Sequence, residues 1–391
     1  MNFFSGYEFF VYLIFALIPA IFLGIKEKSL KNYRILLTLF FIYMVYKDNI
    51  IEFTYLIIYI IISCYLVKIY LFLRNKYGKN TCIYGHAIFV AILPVVLSKI
   101  SGLYGLNIFG FLGVSYICFR VVQIIIEIYD GIITKVDIGT FILFLLFFPT
   151  LSSGPIDRSR HFEEENKKIY SKKEYIEMLQ NGSYKIILGM FYKMVCATLF
   201  YEILSNIFMG RYKPIYIIGY AYVYGIYMFF DFAGYSAMAV GTSYILGINM
   251  PDNFNKPFLS IDIKEFWNRW HITLSTWFRD FIFTRFMLDS TRKKRFNSRL
   301  SRASVGLILN MFIMGVWHGI GIQYIIYGIY HGVLLAGTEI YQKKSKFYQK
   351  NKNQMWYKIF SWFLTLNMVM FGFLIFSGHI SEIWKILIMY L

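Results

Sequence analysis

The amino-acid sequence predicts an all-α polytopic membrane protein of about eleven spans, on three observations. Hydrophobic residues make up 58% of the 391-residue chain and charged residues only 16%, whereas a soluble domain is about a quarter charged. The apolar residues gather into runs that approach the roughly 20 residues a helix needs to cross a hydrocarbon core. Between the runs, Lys and Arg fall in short clusters, the pattern of cytoplasmic loops.

The first run, 7–25, has no basic stretch before it, and Lys26, Lys28, Lys31 and Arg34 follow it. A cleaved signal peptide shows the reverse order, so this run reads as an uncleaved span with its N-terminus outside. Further candidates are 33–46, 51–73, 83–97, 104–126, 138–151, 184–208, 215–248, 303–317, 320–341 and 356–376, with a possible short twelfth at 380–391. Several are too short to cross unaided, and 215–248 is too long for one straight helix. Basic clusters at 26–34, 74–79, 158–173, 256–302 and 343–358 belong in the cytoplasm. The loops near Asp48, near Ser101 and at 209–214 then lie outside. Between the outer loop at 99–103 and the inner loop at 152–183 lie two apolar segments where one crossing suffices. One of them, or part of each, is expected to be re-entrant or to lie flat; irregular backbone at that depth is tolerated only where protein buries it or it lines a wet cavity. The longest polar stretch, 152–184, reads as a cytoplasmic loop with an amphipathic helix around 173–180. No transporter-type repeat or low-complexity linker interrupts the chain, which reads as a single membrane-embedded domain, 1–391.

Several classes of function find no support. The net charge of +18 sits in loop clusters suited to anionic lipid, so no nucleic-acid partner is expected. Cys64, Cys82, Cys118 and Cys196 lie in or beside apolar segments without a CxxC pair and read as packing residues. The six histidines show no HExxH-like spacing, so no metal is implied. Nucleophile-elbow, P-loop and dinucleotide motifs are lacking.

Ionisable groups at membrane depth cost roughly 2.5–3.5 kcal/mol each on the insertion scale and so point to function. Asp231 stands mid-segment, followed by small and hydroxyl residues. It reads as an inward-facing structural or orienting residue, and the small residues read as a helix-packing seam. The stretch 253–280 mixes aromatic and charged residues, with Trp267, Trp270 and Trp277 suited to an interface. Asn268, His271 and Ser275, spaced three and four apart, can share one helix face. The competing reading is an interfacial helix without chemistry. His318 follows a 15-residue apolar run whose most polar members are Ser304 and Asn310, which places it near the end of a span. Gly315 and Gly319 are expected to thin the wall beside it and admit a substrate, although a lone intramembrane histidine is more often a packed, hydrogen-bonded residue. His331 reads as structural. Pro149, Gly154 and Pro155 end any helix across 147–158, either as a shaped turn at the cytoplasmic mouth or as an ordinary loop.

In order and spacing, Asp231 to Ser236, Asn253 to Phe258, Phe266 to His271, Ser275 to Asp280 and Gly315 to Gly319 resemble the membrane-bound O-acyltransferase (MBOAT) family. The family's D-alanyl transfer branch, that of the Dlt system, matches through Gly113-Val-Ser-Tyr116 with Phe119 and Arg120. The same branch matches through Ser152 to Arg158, Phe254 to Phe258 and Asp280 to Phe283. The resemblance implies a ring of about eleven transmembrane helices, with re-entrant or tilted helices, around a central tunnel. It aligns His318 with the family's catalytic histidine and His271 with its second motif histidine. It implies a D-alanyl thioester donor on the phosphopantetheine arm of a small acidic cytoplasmic carrier protein, so the chain itself holds no cofactor. The implied acceptor is a teichoic or lipoteichoic acid hydroxyl outside the cell membrane, reached directly or through a small membrane partner. The chain departs from the pattern at Ile322 and Gln323, where an aromatic pair is expected, and at Ser159 and His161, where a basic residue or Tyr is expected.

A thioester needs little activation, but the acceptor hydroxyl must lose its proton as the new bond forms. His318 is the expected general base. His271 is expected to position the thioester or to donate to the developing oxyanion, helped by Asn268 or Ser275. Trp317 and Asp231 are the further tunnel candidates, and Arg285, Arg292, Lys293 and Lys294 the candidate carrier dock. One alternative is a sister enzyme that O-acetylates an extracellular polysaccharide. Those relatives carry a Pro-Leu-Gly-Gly-Asn-Arg-like run where this chain has Phe283 to Asp289. A transporter or lipid flippase is the alternative from another class. The abundance of Ile, Lys, Asn and Tyr fits an AT-rich genome, compatible with a Gram-positive source.

Overall fold

A computed structural model describes residues 1–210 and 213–380; all its regular elements are helices, with no strand among the described residues. Among the described residues seven helices are long and apolar enough to cross a membrane: Gly6–Ile25, Ile50–Tyr77, Thr81–Leu103, Lys172–Phe208, Pro214–Ile245, Arg299–His318 and Met355–Phe376. Shorter helices, among them Lys31–Tyr46, Val114–Asp130 and Ile138–Leu146, accompany them. The protein is a multi-pass membrane protein. From 381 onward the possible twelfth segment lies outside the described residues.

Four segments differ from expectation. The 215–248 run forms one uninterrupted 32-residue helix, Pro214–Ile245, because it contains no proline after its first position. The amphipathic stretch near 173–180 is not separate but opens the 37-residue helix Lys172–Phe208. The 104–126 run becomes helical only at Val114, after Gly113 at φ 90°. There an added Cβ would lie 2.7 Å from the Leu151 carbonyl oxygen, so only glycine fits. The 138–151 run yields a nine-residue helix, Ile138–Leu146, and then a 3-10 turn, Phe148–Thr150. At 1.5 Å per residue that helix is about 14 Å long, half of what a crossing requires.

The chain divides into two compact units, Met1–Met190 with Gly234–Asp252, and Phe191–Ala233 with the chain from Asn253 onward. In the first unit, buried Arg120 resolves the helix end that Pro149 imposes. Its guanidinium donates to the carbonyls of Phe144 (2.6 Å), Leu145 (2.9 Å) and Thr150 (2.7 Å), and to Thr150 Oγ1 (2.8 Å). These carbonyls would otherwise be left unbonded at a buried helix terminus. Arg34, counted by charge pattern among loop bases, is likewise buried. It donates to Asn166 Oδ1 and O and to the Leu246 carbonyl at 2.8–3.1 Å. The departures from the family pattern at Ser159 and His161 serve buried carboxylates. Ser159 Oγ donates to Glu127 Oε2 at 2.8 Å, and His161 Nδ1 donates to Asp157 Oδ1 at 2.8 Å. Gly182 and Gly241 form a close helix seam, where a Cβ on Gly182 would lie 2.7 Å from the Gly241 carbonyl oxygen.

In the second unit, Arg299–His318 and Ile322–Lys344 pack as a helical hairpin along a glycine seam. A Cβ on Gly328 would lie 2.5 Å from the Met311 oxygen, and one on Gly332 would lie 2.8 Å from Ile308 Cα. Gly315 belongs to this seam, with Gly328 Cα at 3.0 Å from its would-be Cβ. Its role is therefore close helix contact rather than the open wall expected beside His318.

Candidate active site

The candidate site lies in the second unit, where the chain makes a deliberate break. Asp262 caps helix Ile263–Arg269 by accepting from the Glu265 amide at 2.8 Å. The helix stops at Trp270, and His271 takes φ 44°, ψ 53° before a new helix, Ile272–Phe278, begins. A side chain at positive φ costs about 1–2 kcal/mol, so its neighbours must hold it there. They do so through the Asn253 segment: Ile272 N donates to Asn253 O (2.9 Å) and Asn255 N to Arg269 O (3.0 Å). The break corrects one expectation. Asn268, His271 and Ser275 do not share a helix face, because the left-handed residue divides them between two helices.

His271 is 4% exposed, with its ring edge-on to Phe232 at 4.6 Å. Its Nδ1 faces Asn253 Oδ1 at 3.4 Å. That oxygen also accepts from Thr273 N (3.3 Å) and Thr273 Oγ1 (2.6 Å), which fixes it as the carbonyl end of the amide. The proton of neutral His271 therefore sits on Nδ1, and Nε2 is left as an acceptor. Burial pushes the His271 pKa down to about 3, and the charge of nearby His318 adds to the shift. The two motif histidines, 47 positions apart in sequence, are thus electrostatic neighbours.

His318 is the last residue of the Arg299–His318 helix, at the span end where the sequence puts it. It is half-buried among aromatic rings: Trp317 at 4.7 Å, Phe376 at 5.1 Å, Tyr327 at 6.2 Å and Tyr324 at 6.5 Å. His331 is buried against Trp267 and Tyr327, in keeping with a structural role.

Asn268 and Ser275 line a chamber of about 280 Å³ with Lys264, Trp267, Arg279 and Asn310. Met314, also in its wall, lies four residues before His318 and hence on the same helix face. Two buried polar atoms of its lining residues, Trp267 Nε1 and Asn310 Oδ1, lack hydrogen-bond partners among the described residues. Such groups are costly to bury unsatisfied. In the sequence, Asn310 shows only as a polar interruption of an apolar run.

Asp231 forms an ion pair with Lys193, with its side chain 40% exposed, and the chamber wall does not include it. Its neighbour Phe232 makes the contact to His271 instead. The basic run begins inside helix Thr284–Arg292 and continues past its end, with Arg285 half-buried and Arg292, Lys293 and Lys294 exposed. Asp289 within it pairs with Lys293 (3.0 Å) and Arg295 (2.8 Å).

The model of the membrane-bound O-acyltransferase family matches residues 42–381, which include both histidines, the Asn253 clamp and the chamber. The chain belongs to this family. As an MBOAT protein it is an acyltransferase, which removes the transporter and flippase readings. It is 39% identical to the teichoic acid D-alanyltransferase of Bacillus subtilis (strain 168), over 96% of this chain and 98% of that one. It is 38% identical to the Streptococcus thermophilus protein of the same name, over 96% and 95% of the two chains. It is 29% identical to the probable alginate O-acetylase AlgI of Pseudomonas putida, over 83% of this chain and 68% of that one.

Proposed function

We propose that this MBOAT protein transfers a D-alanyl group from a phosphopantetheine thioester, borne by a small acidic carrier in the cytoplasm, to a teichoic or lipoteichoic acid hydroxyl outside. The transfer is direct or passes through a small membrane partner. The protein sits in the cell membrane with its N-terminus outside and its basic loops in the cytoplasm. The observation that carries the reading is the pair of coupled histidines, one dry and one half-buried. The full-length likeness to two teichoic acid D-alanyltransferases supplies the substrate class.

In this mechanism His318 removes the acceptor proton as the hydroxyl oxygen attacks the thioester carbonyl. The tetrahedral intermediate collapses with loss of the pantetheine thiolate, which takes up the proton. His271 is neutral at any working pH, and its Nε2 can only accept a hydrogen bond. Positioning the donor therefore suits it better than stabilising an oxyanion. An amide N–H of the pantetheine arm is the matching group. Arg292 and Lys294, at the exposed end of the basic run, dock the carrier. Since acceptor and donor meet inside the protein, no nucleotide-driven step is required.

The test is the D-alanine ester content of the envelope in cells lacking the gene, complemented with wild type, His318→Ala or His271→Ala, at protein levels matched by blot. Wild type restores the ester and His318→Ala does not. Full restoration by His318→Ala overturns the catalytic assignment. Likeness to the alginate O-acetylases favours a second reading, O-acetylation of an extracellular polysaccharide. It takes over if wild type changes acetyl ester but not D-alanine ester.

A further inference from the structure

A second concavity in the second unit, about 470 Å³, lies apart from the histidines between the ends of helices Ile322–Lys344 and Met355–Phe376. It is graded along the helix axes. At one end stand the phenols of Tyr341 and Tyr357, with hydroxyls 3.3 Å apart, and the ammonium groups of Lys352 and Lys358. About eight residues further along the first helix, near 12 Å at 1.5 Å per residue, the wall becomes Val333 and Leu334. On the second helix it becomes Leu364 and Met368. Val333 and Leu364 are exposed there, at 53% and 42%.

The charges at the polar end are unequally committed. Glu339, nearby on the first helix, is taken by Lys264 and Lys343. Asp262, in the wall, accepts from the Glu265 amide and from Gln342 Nε2 at 2.9 Å. Lys352 and Lys358 have no carboxylate partner among the described residues. They belong to the basic cluster at 343–358, which the charge pattern assigns to the membrane surface. A cationic, phenol-rimmed mouth over an apolar channel parallel to the helices complements one molecule of the bilayer itself.

We infer that this groove binds one anionic diacyl phospholipid, with its phosphate between Lys352 and Lys358 and an acyl chain along Val333, Leu334, Leu364 and Met368. Gly337 forms part of the floor, and an added Cβ there meets nothing within 4 Å. The channel is therefore widened at the point an acyl chain must pass. Gly337→Leu narrows it, and lies in a helix interior where leaving glycine favours the fold.

The experiment uses the full chain purified in maltoside micelles, delipidated, then titrated with phosphatidylglycerol or phosphatidylcholine and read by native mass spectrometry. Wild type binds one phosphatidylglycerol at least about tenfold more tightly than phosphatidylcholine, the preference that two basic contacts near a bilayer surface produce. The double variant Lys352→Gln, Lys358→Gln loses the preference and retains phosphatidylcholine binding. Gly337→Leu weakens both lipids. Melting temperatures in lipid-free micelles stay level across the variants, and both substitutions lie at exposed positions. Equal binding of the two lipids by wild type, or unchanged binding in both variants, overturns the proposal. So does dimer formation on delipidation that Gly337→Leu abolishes, since a second copy would then be the occupant.

Discussion

The buried cations of the first unit and the buried histidine of the second are placed by the same kind of sequence event, a helix that ends inside protein, yet they are treated differently. Arg120 spends every guanidinium N–H except Nε on carbonyl and hydroxyl oxygens near 2.6–2.9 Å. Arg34 is bound as fully, to Asn166 and Leu246. His271 has one long hydrogen bond, at 3.4 Å, and two buried polar atoms on residues of the nearby chamber have no partner among the described residues. A saturated polar group has nothing left to offer a ligand and serves the scaffold. An unsaturated one, kept dry at a cost in stability, is where binding and chemistry can occur.

The largest effect that tests this contrast is on rate. His318→Ala should lower ester formation by about 10²- to 10⁴-fold, the range for loss of a general base, with the melting temperature in micelles nearly unchanged. Arg120→Ala should do the reverse. It strands several buried carbonyls and should cost about 3–5 kcal/mol. The protein then fails to accumulate in the membrane, while any surviving fraction keeps its specific activity. Arg120→Lys should not rescue it, because a single ammonium cannot reach carbonyls on two sides as the planar fork does. If Arg120→Ala accumulates normally but is inactive, the division between scaffold and site is wrong.

A smaller effect probes the clamp. Asn253→Ala removes the carbonyl that holds His271 as its Nδ1–H tautomer and the partner of Thr273 Oγ1. Activity should fall about tenfold as the ring loses the contact that orients it, with about 1 kcal/mol of stability lost with the Thr273 Oγ1 hydrogen bond. Asn253→Asp keeps the acceptor and should recover most of the stability. A loss of stability with no change in rate would limit Asn253 to a packing role.

How much of this was legible from sequence follows from what each feature depends on. Hydropathy reports burial in lipid, so the spans were readable, as was the oddity of two apolar segments where one crossing suffices. The placement of His318 at a span end was readable because the helix is continuous. The Asn268, His271 and Ser275 face was misread because helical spacing assumes an unbroken helix, and the left-handed turn at His271 rests on long-range bonds from Asn253. Arg34 and Arg120 look alike in composition to the loop bases. Only tertiary structure shows carbonyls waiting for them. Asn310 was invisible as a site residue, since a single asparagine in an apolar run says nothing about which way it faces.

The titrating histidines of the two units can also be set against each other. Burial holds His271 near 3, below its ordinary 6.5. Between these values an unfolded chain binds a proton that the folded one refuses, so stability rises with pH up to about 6.5 and is level above it. The slope reaches at most about 1.4 kcal/mol per pH unit. His161 has the opposite sign. Its hydrogen bond to Asp157 raises it above 6.5. Its contribution is present in full below 6.5 and disappears as pH rises through the raised value. With the imidazole 39% exposed, solvent screening keeps that contribution small. Melting temperatures in micelles from pH 5 to 8 should therefore show an acid-side decline that His271→Gln reduces. A slight alkaline-side decline should vanish in His161→Gln. An acid-side decline that persists undiminished in His271→Gln would mean that water reaches that ring, and the dry half of the histidine pair would have to be abandoned.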